Sequence, residues 1–217
     1  MSLFETFKKM LGGTRIERKV ADWDPVAAAI SAGAAYLAQG SSYAYLRART
    51  LLAGPRLFQD EGFSYALQIC KWEGYAVASQ DIILMIEGEI RAQLPRDVAT
   101  KKTILMQMYK AALECEPVPE HRGEQGWDDV IARFDHRLEA FMANKPARPD
   151  DIATATALCL LEHAPIDELV RKADQVMVIN NVGFRLIELQ TKLRQQFDFN
   201  ELAQMLAKRM SALAPAS

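Results

Sequence analysis

From Asp60 to Leu94 the chain carries no proline. Helix from end to end of that stretch would run about 50 Å, long for a compact domain. Ala66, Cys70, Gly74 and Ala78 recur every fourth residue within it. Such a line of small side chains marks a face that another helix crosses closely. The polar cluster Ser79-Gln80-Asp81 predicts a break or bend near the middle. On continuous helix Asp81 would share the line of Phe63, Cys70, Gly74 and Gly88, where a carboxylate is expensive unless paired. A helix restarting there makes Asp81 an N-cap or first-turn acid, which is the cheaper reading.

The rest of the chain also reads as helix. Asp24-Pro25 is a start signal for an alanine-rich helix that Gly40 is expected to stop. Ser41 or Ser42 then caps a helix to Ala53, closed by Gly54-Pro55. Pro95 begins another, to about Glu116. Residues 116–126 hold two prolines and two glycines and read as a linker. Asp128 and Asp129 open an amphipathic helix with Val130, Ile131, Phe134, Leu138, Phe141 and Met142 on one stripe. Helices are expected at about 150–163, 166–196 and 199–213. No hairpin pattern and no repeat of 30–50 residues is evident. The fold class is therefore all-α, a bundle of about seven to nine helices. Its organisation is an amphipathic segment over 1–13 and a helical domain over 14–217, which the linker divides into packed lobes 14–115 and 127–217.

Composition narrows the function classes. A formal charge of −2 over 217 residues offers no general attraction to nucleic acid. Three widely spaced cysteines, Cys70, Cys115 and Cys159, make neither a CxxC zinc site nor a redox dithiol and suit a reducing, cytoplasmic setting. No secretory leader and no bilayer-spanning run is read in the sequence. Phosphate-loop, dinucleotide, zincin and nucleophile-elbow patterns are missing. His121, His136 and His163 follow Val118, Arg133 and Leu160 by three residues, so no Glu-x-x-His di-iron motif exists. No cofactor, no metal and no catalytic residue is expected, and an enzyme is the weaker expectation.

Three features remain as candidate sites. Leu3, Phe4, Phe7, Met10 and Leu11 form a short apolar stripe beside Lys8 and Lys9, suited to packing on the body, to a partner groove or to weak membrane contact. Asn180 and Asn181 flank the apolar stripe of Ile166, Val170, Ala173, Met177 and Phe184. That predicts a buried amide, serving as a polar spot in a ligand pocket or as a register-fixing hydrogen bond. Past Gly183 the apolar phase rotates to Leu186, Leu189 and Leu193. Tyr43, Tyr45, Arg47 and Arg49 could stack in i,i+4 pairs as a surface patch. The leading functional expectation is a non-enzymatic interaction or scaffold protein that binds a protein partner or itself. A membrane-associated factor using residues 1–11, and a small-ligand binder near Asn180, Asn181 and Asp81, are the alternatives.

Overall fold

A computed structural model describes residues 21–50 and 54–213. The amphipathic stripe from Leu3 to Leu11 lies outside those residues. Among the described residues there is helix and no strand. The chain is an all-α multi-helix bundle.

Helix α1 spans Trp23–Thr50, the short α2 Gly54–Leu57, and α3 Glu61–Ile90. A 3₁₀ turn, Arg91–Gln93, leads towards α4, Val98–Glu114. A second 3₁₀ segment, Glu120–Gln125, precedes α5, Asp128–Met142. Then come α6, Pro149–Ile152, α7, Thr154–His163, α8, Glu168–Ala173, α9, Gln175–Gln196, and α10, Phe199–Leu213.

Two expected breaks are absent, for reasons that lie in local chemistry. Gly40 sits inside α1, where a Cβ would come within 2.6 Å of Arg185 Nη1. The glycine makes room for that guanidinium and does not end the helix. The Ser42 hydroxyl donates to Ala38 O at 2.7 Å, so it bonds back into its own helix instead of capping a new one. The same happens in α3, where Ser79 Oγ donates to Tyr75 O at 3.0 Å. Helix α3 runs unbroken through Asp81. The expected single helix over 166–196 is instead divided at Asp174 into α8 and α9.

The small-residue line of α3 is a close crossing. A Cβ on Gly74 would lie 2.4 Å from Leu160 Cδ2 and 3.3 Å from Ala38 Cβ, so α1 and α7 both press on it. Gly33 of α1 receives Leu189 of α9 in the same manner. Buried side chains on both sides of 116–126 belong to one continuous apolar cluster, including Ile30, Ile82, Leu105, Phe134, Leu160 and Leu189. The linker itself is tied down by His121 and Arg122, both bonded to Glu73 of α3. Its two glycines do turn the chain: Gly123 and Gly126 have φ of 50° and 55°, a region that other residues rarely adopt.

Candidate functional site

From Glu73 onward helix α3 is buried almost all round, yet it carries five polar side chains inward: Glu73, Ser79, Gln80, Asp81 and Glu87. Glu73, Gln80 and Glu87 are seven residues apart and share one face. An ionised carboxylate removed from water needs a partner, and each of these acids has an arginine. Glu73 accepts from Arg122 Nε and from His121 Nε2, both at 2.7 Å. Asp81, fully buried, accepts from Arg137 Nη2, from Thr156 Oγ1, both at 2.5 Å, and from Thr156 N at 3.2 Å. Glu87 is clasped by Arg91, with bonds of 2.7 to 2.9 Å. Asp81 is thus the paired carboxylate inside a continuous helix, not a cap. Burial pushes its carboxyl above the ordinary range, against the pull of Arg137 and Thr156. Burial also acts to raise Glu73, but its bonds from Arg122 and His121 outweigh that and hold it below the usual value.

The neutral groups are matched as carefully. Gln80 donates to Tyr109 at 3.1 Å and accepts from Arg137 at 3.2 Å. Tyr109 donates onward to Ala76 O, and the Tyr75 hydroxyl joins Ser31 to Ala112 O. A half-open groove of about 670 Å³ passes over this network, with His121, Arg122, Arg133, Arg137, Cys159 and His163 along it. Its charged walls are engaged with each other: Arg122 and Arg133 both bond Asp129. Burial drives the Cys159 thiol strongly upward, so it stays protonated and is a poor nucleophile. Among the described residues no set of three His, Cys, Asp or Glu side chains could hold a metal ion. The groove ties α5 and α7 to α3.

The other sites anticipated from sequence are placed differently from one another. Buried Tyr45 and the partly exposed Arg49 meet on Asp174, with Tyr45 donating at 3.0 Å and Arg49 Nε at 2.6 Å. Tyr43 is half exposed and stacks on Phe58, centroids 5.5 Å apart, while Arg47 is exposed. The four residues do not form one patch. Asn180 and Asn181 are both exposed, which corrects the expectation of a buried amide. Asn181 Oδ1 accepts from Arg185 Nε of its own helix at 3.2 Å.

The reason lies in α9, which has two apolar faces. Val178, Val182, Leu186, Leu189 and Leu193 face the core. At 100° per residue, Val176, Met177, Asn180, Phe184 and Ile187 fall within an arc of about 100° on the opposite side. Val176 is 70% exposed and Phe184 74%. Met177 and Ile187 are about two-fifths exposed, and α8 adds the outward Leu169 and Val170. The stripe through Met177 and Phe184 is therefore the outer one, and the phase rotation after Gly183 is the change from outer to inner face. Beside it, Ser41, Ala44, Tyr45 and Ala48 of α1 and Met177 and Asn181 of α9 line a hollow of about 140 Å³.

Among the described residues no helix is long and apolar enough to cross a membrane. Set against family models, curated proteins and solved structures, the chain matches none of them.

Proposed function

We propose that this chain is a non-enzymatic helical interaction protein that docks through the outer face of α9. One observation carries the reading: Val176, Met177, Phe184 and Ile187 lie uncovered on a single helical face, with an asparagine in their midst. Together with Leu169 and Val170 they leave on the order of 600 Å² of apolar surface in water, at the upper end of what a solitary protein shows. Phenylalanine and methionine at the centre are also the composition of an interface core, with Arg148, Asp150 and Asp151 at one rim beside Phe184. The reading is supported from the other side by the polar groups, whose hydrogen bonds serve the bundle's own helices. A cytoplasmic setting belongs to the proposal, and the three free cysteines suit it.

The test is the native mass of the full-length protein in an extract of its own cells. Wild type should travel in an assembly larger than the 24.3 kDa chain. A Val176→Glu/Phe184→Glu variant should fall to the mass of the single chain with an unchanged melting temperature. Wild type at the mass of one chain, or a variant that stays in the assembly, would remove the proposal.

A further inference from the structure

We propose that the hollow between α1 and α9 binds a small neutral aromatic molecule carrying one hydroxyl group, of which phenol is the simplest. This stands apart from the docking role of α9, because it rests on a buried polar group that the fold leaves without a partner. Ser41 is 2% exposed, and its hydroxyl makes no hydrogen bond among the described residues. Its neighbour Ser42 bonds back to Ala38 O, and Ser79 does the same to Tyr75 O. A helix thus offers serine an internal acceptor, and Ser41 does not take it. An unpaired buried hydroxyl costs free energy, and native folds keep few such groups unless something from outside completes them.

The surroundings of Ser41 set the shape of the missing partner. Ser41 lines the 140 Å³ hollow together with buried Tyr45 and Val178, while exposed Ala44 and Ala48 and the half-exposed Met177 stand towards its mouth. Positions 41, 44 and 48 share one face of α1, and their small side chains leave the space open. An apolar cavity of about 150 Å³ accepts a benzene molecule, so the hollow has the size of one aromatic ring. Tyr45 brings a ring edge or face to such a guest and Met177 an adaptable thioether, both favourable neighbours for an aromatic.

The chemistry of the lining sets the rest. Among the described residues no charged side chain lines the hollow, and Asp174, bonded to Tyr45, is also held by Arg49. An ionised guest would lose its hydration there without gaining a counter-charge, so the guest is neutral. Water alone is a poor occupant, since it needs about two to four polar partners. Tyr45 already gives its hydroxyl to Asp174, and the Asn181 oxygen accepts from Arg185. A hydroxyl on an aromatic ring can donate to Ser41 or accept from it, while the ring fills the apolar remainder.

An NMR titration of the isotope-labelled full-length chain tests this, with phenol as probe and toluene as its isostere without the hydroxyl. Phenol should shift the amide signals of Ser41, Ala44 and Val178 and saturate at millimolar concentration. Ser41→Ala should weaken phenol relative to toluene by about fivefold or more, because only phenol loses a hydrogen bond. Ala44→Phe, at the exposed rim, should abolish binding of both at unchanged melting temperature. Without any guest, Ser41→Ala should melt no lower than wild type, since it removes an unpaired hydroxyl. Three results overturn the site: no saturable shift with either probe, an unchanged preference between them in Ser41→Ala, or binding that survives Ala44→Phe. A Ser41→Ala variant that melts lower shows a hydroxyl already bonded within the protein, and overturns it too.

Discussion

Asp81 shows how a residue that looks misplaced can be correctly matched. Its carboxylate is fully buried in the middle of a 30-residue helix, and its partner Arg137 sits 56 positions away on α5. The side chain itself could be singled out from the sequence, because an acid on an apolar helix line demands an explanation. Its partner could not, since nothing local connects Asp81 to Arg137 or to Thr156. For Glu73 the partners lie in a stretch whose prolines and glycines mark it as linker, and that composition hid His121 and Arg122. One signal was present: Glu73, Gln80 and Glu87 stand seven apart in a run whose other polar residues are Ser79 and Asp81, the spacing of polar groups sharing a buried face. The pairing predicts unequal costs. Arg137→Ala leaves Asp81 without its cation in the core and should destabilise the fold by about 3–5 kcal/mol in urea denaturation. Asp81→Asn should cost clearly less, because asparagine still accepts from Thr156 and Arg137 keeps its bonds to Gln80 and to Ile152 O. Equal losses for the two variants would mean that the ion pair is not what holds α5 to α3.

At the scale of helices, existence was legible and interruption was not. Helices α4, α5 and α10 lie where they were expected, with α4 opening at Val98 behind an Asp97 side chain that accepts from Thr100 N, three residues past the expected Pro95. Gly40 and the cluster Ser79-Gln80-Asp81 have the composition of breaks, yet tertiary contacts use those residues inside helices. Periodicity also cannot tell which of two apolar faces goes inward. In α9 both stripes are present, and only the packing of Leu189 into Gly33 and of Val182 and Leu186 into the core decides between them. The glycines give a paired prediction. At Gly40 the obstacle to a methyl is the tip of Arg185, a long side chain on the half-buried rim, which can swing aside. Gly40→Ala should therefore be neutral or gain up to about 1 kcal/mol from helix propensity. At Gly74 the obstacle is Leu160, packed at 2% exposure with Ala38 behind the same point. Gly74→Ala should lose about 1–3 kcal/mol by overpacking. Thermal melts of the two variants against wild type decide it, and a destabilised Gly40→Ala beside a tolerated Gly74→Ala would reverse the argument.

Taken whole, the molecule keeps its polar chemistry inside and leaves an apolar helix face outside. The arginine–carboxylate pairs join α3 to α5 and to the 3₁₀ segments beside it, and the Tyr45–Arg49–Asp174 latch fixes the junction of α8 and α9 to α1. That rigid support presents Val176, Met177, Phe184 and Ile187 as a fixed ridge, which lowers the entropy lost when something docks on it. The most direct measurement is the native mass of the full-length chain in an extract of its own cells, beside Phe184→Asp. Wild type should travel in an assembly larger than the 24.3 kDa chain, while Phe184→Asp travels at the mass of one chain with an unchanged melting temperature. Wild type at the mass of one chain, or a Phe184→Asp variant that keeps the assembly, would contradict a docking face on α9.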